Sequence, residues 1–296
     1  MRIVHISDLH FWHITLNPMR LMGKRLLGMG NLILNRARAY KLEVMPTVVE
    51  RVKELKPDHL LVTGDLTTTA LDEEFQAVRQ ALLALPQDPS FLTVVPGNHD
   101  RYTRESDRNG IFEKYFAEFA PSPCYPWLKQ IGQDTAILGL DPCHPNPLSA
   151  RGTISPEQLQ RAAELLDGAG MKVKRLLVAC HYPVALPAGI IENRGHGLRG
   201  SRHMHAFLAR YSPALYCHGH IHSVWGFCPQ FLPETLCLNP GPSLKQRNHS
   251  GVAASMLEIV LDGQDVEVRR HLLRQKTWEM DTLFHARDFF NRRINS

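Results

Sequence analysis

Short apolar runs rich in branched residues recur along the chain, each bounded by polar or turn-forming positions. Arg2–Ile6, His59–Thr63, Phe91–Val95, Thr135–Leu140, Arg175–Ala179, Ala214–Cys217, Leu236–Leu238, Ser255–Leu261 and Val266–Leu272 are too short for buried helices and predict strands. Between them the apolar spacing changes to that of a helix face over Pro46–Leu55, Asp72–Leu85, Asn109–Phe119, Pro156–Leu166 and Ser201–Tyr211. Ser155 followed by Pro156 reads as a cap and first turn. Strands alternating with helices predict a layered α/β domain in which helices cover two packed sheets. No repeat or low-complexity linker divides the chain. We read residues 1–296 as one domain with a helical insertion at about 14–40 and a C-terminal segment at about 277–296.

In such folds ligands bind beyond the carboxyl ends of the strands, where loops converge. The polar clusters fall there. Asp8-Leu9-His10 follows the first strand, and a carboxylate and an imidazole two residues apart can share one side of an extended segment. Gly64-Asp65 follows the second, with glycine permitting a sharp turn. Pro96-Gly97-Asn98-His99-Asp100 follows the third and offers an amide, an imidazole and a carboxylate in one loop. His181 follows Leu176–Cys180. His218-Gly219-His220-Ile221-His222 follows Ala214–Cys217 and presents imidazoles at alternate positions.

This ordered set resembles the calcineurin-like metallophosphoesterases, whose signature is Asp-x-His, Gly-Asp, Gly-Asn-His-Asp, an isolated His and Gly-His-x-His. The resemblance implies a four-layer α/β/β/α sandwich of two mixed sheets flanked by helices. It implies two divalent cations: Asp8, His10, Asp65 and His222 hold one, while Asp65, Asn98, His181 and His220 hold the other, with Asp65 bridging. Mixed carboxylate and imidazole ligands suit Mn, the first expectation, and also Fe, Zn or Mg. Such a pair lowers the pKa of a bridging water, whose hydroxide attacks phosphorus in line. His99, not itself assigned to a metal, is the candidate proton donor to the leaving oxygen, and Asp100 is expected to orient it and raise its pKa. His218 is expected to support the ligands from behind.

Substrate choice falls to the surrounding loops. A helix over Met19–Arg38 would place Met22, Leu26, Met29 and Ile33 on one face and Arg20, Lys24, Asn31, Asn35 and Arg38 on the other. Such a basic amphipathic segment can lie on a membrane, cover an acyl chain or dock on the core. Pro183–Gly200 carries Arg194, His196 and Arg199, and Asp141–Gly152 ends in Arg151; these are the candidate substrate contacts. Thr277–Ser296, with Trp278, Phe284, Phe289 and Phe290 among arginines, is read as a docked terminal helix. Lys24-Arg25-Leu26-Leu27-Gly28 with Asn31, and Gly64–Leu71 with Glu74-Phe75, are similar to the metallophosphoesterase group that includes UDP-2,3-diacylglucosamine hydrolases of lipid A synthesis. Those enzymes cleave a pyrophosphate and release UMP, which implies a lipid-nucleotide substrate. The alternatives are a class III cyclic nucleotide phosphodiesterase, which shares the five motifs, and a non-catalytic scaffold, disfavoured because every ligand is present.

Composition narrows little further. Apolar residues make up 44% and charged residues 21%, an ordinary globular balance. The net charge of +5 is spread along the chain, so a nucleotide fits and a nucleic acid is not implied. The six cysteines show no Cys-x-x-Cys spacing and the amino terminus no signal-peptide pattern. We expect reduced thiols in a cytoplasmic protein whose 19–38 segment is available for contact with the inner membrane.

Overall fold

The computed structural model describes residues 1–21, 23–147, 149–169, 173–193, 195–246 and 253–290. Its strands are β1 (Arg2–Ile6), β2 (His59–Thr63), β3 (Leu92–Val95), β4 (Trp127–Gln130), β5 (Thr135–Gly139), β6 (Gly152–Thr153), β7 (Arg175–Ala179), β8 (Leu198–Arg199), β9 (Leu215–Cys217), β10 (Val224–Phe227), β11 (Leu236–Pro240), β12 (Ala254–Asp262), β13 (Asp265–Arg274) and β14 (Thr277–Ala286). The helices are α1 (Lys24–Asn31), α2 (Ala37–Ala39), α3 (Met45–Leu55), α4 (Asp72–Leu82), α5 (Arg104–Arg108), α6 (Ile111–Phe116), α7 (Pro156–Ala169) and α8 (Ser201–Tyr211). One sheet runs β14-β13-β12-β1-β2-β3 and the other β10-β11-β9-β7-β5-β4. β1, β2 and β3 are parallel, as are β5, β7, β9 and β11, while antiparallel strands complete each sheet.

Strand alternation explains the layers. Ile3, Leu61 and Val95 face Ile137, Leu177, Leu215 and Leu238 between the sheets. Their neighbours Val4, Leu60 and Val94 pack outward on Val48, Val52, Phe75 and Phe116. On the far side Leu138, Leu176 and Tyr216 pack under Leu159, Met204 and Phe207. With apolar side chains on both faces, these strands carry near-continuous hydrophobic runs, which is why they were visible in the sequence. The result is helices, sheet, sheet, helices, as expected.

Three expectations change. The segment from Thr277 is a strand rather than a helix: Gln275 and Lys276 both adopt left-handed φ, 48° and 70°, and close a two-residue hairpin that pairs Thr277–Ala286 with β13. Residues 291–296 of that expectation lie outside the described residues. Asn109–Phe119 is interrupted at Gly110, whose φ of 58° separates α5 from α6. The insertion is the third. Its helix starts at Lys24, behind Gly23, and after Asn31 passes through a π turn at Leu32–Arg36 before α2. Its docked face is Arg25, Met29 and Leu32; Leu26 and Ile33 are exposed, and Met22 lies outside the described residues. Arg25 is held by the carbonyls of Thr69 and Ala70, which fixes α1 over the loop after β2. Among the described residues no helix is long and apolar enough to cross a membrane, and all six cysteines are free.

Candidate metal centre

Parallel strands deliver their loops to one end of the sandwich. Asp8 and His10 lie beyond β1, Asp65 beyond β2, Asn98 and His99 beyond β3, His181 beyond β7, and His220 and His222 beyond β9. Asp8, His10, Asp65 and His220 all take left-handed backbone, with φ of 52°, 48°, 51° and 70°. Non-glycine residues are held there only where the surroundings over-determine them, a pattern concentrated at functional sites. Gly64 and Gly97 make the constraint possible: a Cβ on Gly64 would lie 2.7 Å from Cα of Gly97, and one on Gly97 would collide with Asp65.

One ligand atom each from Asp8, His10, Asp65 and His222 lie within 4.8 Å of one another. Nε2 of His222 is 3.4 Å from Oδ1 of Asp8, and Nε2 of His10 is 3.6 Å from Oδ2 of Asp65. The other Asp65 oxygen turns the opposite way and lies 3.4 Å from Nε2 of His181. Oδ1 of Asn98 meets Nδ1 of His220 at 3.0 Å, and the rings of His181 and His220 are 5.2 Å apart. The seven expected ligands therefore lie at one end of the sandwich: Asp8, His10, Asp65 and His222 are grouped closely enough to hold a cation, His181 lies by the other Asp65 oxygen, and Asn98 lies beside His220.

The imidazoles are oriented by their far nitrogens. Nδ1–H of His181 donates to the Thr63 carbonyl at 2.7 Å, and Nε2–H of His220 donates to the His196 carbonyl at 2.9 Å. Tyr40 Oη lies 3.1 Å from Nδ1 of His222. These contacts turn the other ring nitrogen of His181 and His220 inward, the orientation a metal-binding histidine requires. Nε2 of His181 and Oδ2 of Asp8 are buried without a hydrogen-bond partner among the described residues. Buried polar atoms left without a partner are costly unless something fills the gap, and divalent cations suit this set of carboxylates and imidazoles. Burial raises the cost of the Asp65 charge, yet the imidazoles of His181, His99 and His10 hold its carboxyl well below the usual range. Burial opposes the charge on His181 too, but Asp65 outweighs it and lifts that group to about 9.

The relation between His99 and Asp100 departs from expectation. The Asp100 carboxylate accepts from the backbone of Gly97, Leu66 and Thr67 and from the Thr67 hydroxyl, so it ties two metal loops together instead of orienting the imidazole. His99 donates Nδ1–H to the Thr68 carbonyl at 2.6 Å, and Nε2 receives Arg36 Nη2 at 2.9 Å. Burial and then the Arg36 charge push its pKa down to about 3 instead of up. His218 lies buried behind the ligands against Tyr216 and Trp225, with Nδ1 on the Gly219 carbonyl.

A cleft of about 430 Å³ opens beside the centre, bordered by Lys24, Leu27, Asn31, Arg36, Asn98, His99, Tyr102 and His196. Of the expected substrate contacts His196 lines it. Outside that lining, Arg199 lies in β8 of the small β6–β8 ribbon and Arg151 just precedes β6, where it influences Glu192, and Arg194 lies outside the described residues. Sequence reasoning missed Arg36, Tyr40, Tyr102 and Asn239. Asn239 donates to the carbonyls of Gly219 and Ile221 and accepts from Gly241 N–H, fixing the His220–His222 loop.

A family model described as calcineurin-like phosphoesterase matches residues 1–224. The chain belongs to that family. It is a metal-dependent phosphoester hydrolase that binds divalent metal. Among solved structures, this phosphoesterase superposes on a purple acid phosphatase from yellow lupin with a TM-score of 0.58 at 12% identity, covering 94% of this chain and 52% of that one. GAP50, the anchor in the inner membrane complex of Plasmodium, gives 0.54 at 10% identity over 97% and 89% of the two chains. These likenesses are of fold. No curated protein matches its sequence.

Proposed function

We propose that this phosphoesterase hydrolyses a phosphodiester or pyrophosphate bond at a two-cation centre, and that its substrate is UDP-2,3-diacylglucosamine, cleaved to release UMP. The reaction class rests on one observation above all: the two oxygens of Asp65 face two separate ligand groups. Cations there would supply Lewis-acid polarisation of the phosphoryl group and activate water, with Mn the first candidate. His99 borders the cleft with Nε2 on Arg36 Nη2 and Nδ1–H on the Thr68 carbonyl, which fixes the tautomer. Its protonation for the leaving oxygen needs relief from the Arg36 charge, and a phosphoryl anion drawn between the two provides it.

The lipid part rests on the insertion. Of its apolar side chains, Leu27 borders the cleft at 69% exposure, and Leu16, Met19, Leu26 and Leu34 stand bare nearby in sequence. A concentration of exposed apolar groups beside a catalytic cleft suits an acyl chain or a membrane surface better than a small polar nucleotide. The test is an assay of Mn-loaded protein against UDP-2,3-diacylglucosamine in detergent, cyclic AMP and bis-p-nitrophenyl phosphate. UMP release is expected. Turnover of cyclic AMP without UMP release would reject the lipid precursor, and inertness toward all three would reject the enzyme reading.

A further inference from the structure

Lys24, Leu27, Gly28 and Asn31 line the cleft at the spacing of one α-helical face. Continued as an α-helix, that face would next present Asn35. The π turn at Leu32–Arg36 inserts an extra residue, and Arg36 takes the place instead, with Asn35 turned back to hydrogen-bond Asn31. π turns are rare and concentrate at functional sites. Here the turn delivers a guanidinium to the metal centre.

That guanidinium has no carboxylate partner among the described residues. Its neighbours are imidazoles: Nη2 donates to Nε2 of His99, and Nη1 lies 3.1 Å from Nδ1 of His10. The second contact is poor once His10 serves as a ligand. With its Nε2 lone pair turned to a cation, the hydrogen sits on Nδ1, and two donors face each other. Arg36 is then a fixed-geometry cation seeking an oxyanion. Lys24 is in the same position. Its ammonium lies 4.4 Å over the Tyr102 ring and, among the described residues, hydrogen-bonds only the Ser149 carbonyl, at 3.4 Å. Tyr102 in turn stacks on His99 with ring centroids 5.3 Å apart. Gly28 lets this wall close, because a Cβ there would lie 2.5 Å from the Tyr102 hydroxyl. Two cations without carboxylate partners among the described residues, on one helix face and beside one cleft, suit an anion larger than the phosphoryl group under attack.

We infer that Lys24 and Arg36 form a second anion-binding position, which holds the phosphoryl group bonded to the one attacked and so selects diphosphate-linked substrates over simple phosphodiesters. The inference rests on the hydrolase reading of the same centre and adds to it a source of specificity. Binding of methylenediphosphonate and of methylphosphonate to Mn-loaded protein, followed by calorimetry, reads it without turnover. Arg36→Gln and Lys24→Gln should each shrink the preference for the diphosphonate about 10–100-fold, the worth of one charge-assisted hydrogen bond. Arg36→Lys, which keeps the charge and loses the fork, should recover part of the preference. Wild-type preference in both glutamine variants, with Mn content and melting temperature unchanged, would overturn the proposal. So would a wild-type protein with no preference. Turnover of bis-p-nitrophenyl phosphate by the wild type separates the outcomes: if it persists while the preference is untouched, the anion position fails alone, and if it is absent the hydrolase reading fails first.

Discussion

Asn239 offers a sharp test of how the site is held, because among the described residues it hydrogen-bonds none of the expected ligands. It is fully buried on β11, and its amide bridges three backbone groups: the carbonyls of Gly219 and Ile221 and the N–H of Gly241. In Asn239→Ala, Gly241 N–H loses its acceptor at a cost of about 1–3 kcal/mol, and each carbonyl loses one donor at about 0.5–1.5 kcal/mol. The carbonyl terms stay small because Ile221 N–H still serves Gly219 and Ser223 N–H still serves Ile221. A total of about 2–6 kcal/mol should appear as a lower urea midpoint with an unchanged slope. The same loop carries His220 and His222, so part of that energy is charged to metal binding. If ordering the loop costs about 1.4–2.8 kcal/mol, Mn binds about 10–100-fold more weakly. Asn239→Asp keeps the shape but sets a carboxylate against two carbonyls and should weaken Mn at least as much. Wild-type Mn affinity in either variant would refute the claim that this amide holds the histidine loop.

Two further outcomes follow from the geometry. Asp65→Ala removes the carboxylate shared by both ligand groups, so elemental analysis should find both cations lost together with activity; a variant that keeps two would refute the shared assignment. Because His181 in the metal-free protein is lifted to about 9, a cation must displace its proton at lower pH, and Mn affinity should rise about tenfold per pH unit up to that value. The sign for stability is the reverse. The His181–Asp65 pair stabilises the metal-free fold fully below the unperturbed pKa of 6.5, and its contribution is lost as pH rises through about 9. A pH-independent Mn affinity between 6.5 and 8.5 would refute the proton on His181.

The strands of the parallel cores were legible because both faces are buried, so every position in Leu60–Val62 or Leu176–Ala179 is apolar. The ligands were legible because each follows such a run directly. Three of the four edge strands were not, the exception being β3, which is buried along its whole length. Trp127–Gln130 and Val224–Phe227 close the second sheet with only partial burial and mixed composition, and Thr277–Ala286 carries too many exposed polar positions to separate a strand from a helix by pattern. Arg36 was missed for a different reason. Helical spacing assumes a constant turn, and one π turn moves the cleft-facing position by a residue. Asp100 was misread because adjacency in sequence suggested a partner, whereas its carboxylate turns inward to satisfy the backbone of Gly97, Leu66 and Thr67.

The placement of the ligands has a mechanical side. Asp8, Asp65 and Asn98 belong to one sheet and His181, His220 and His222 to the other, so any cation held between them works as a clasp across the open end of the sandwich. Elsewhere the two layers meet mainly through apolar side chains, with a few hydrogen bonds between them such as Lys129 Nζ to the Leu92 carbonyl and Ser255 Oγ to the Pro240 carbonyl. At this rim a coordinate bond would add a directional tie to the cross-sheet hydrogen bonds already there, from His181 Nδ1 to the Thr63 carbonyl and from the His220 N–H to Asp8 Oδ1. A cation bound only by the folded sandwich would stabilise the alignment of the two sheets by mass action, in step with the metal supplied.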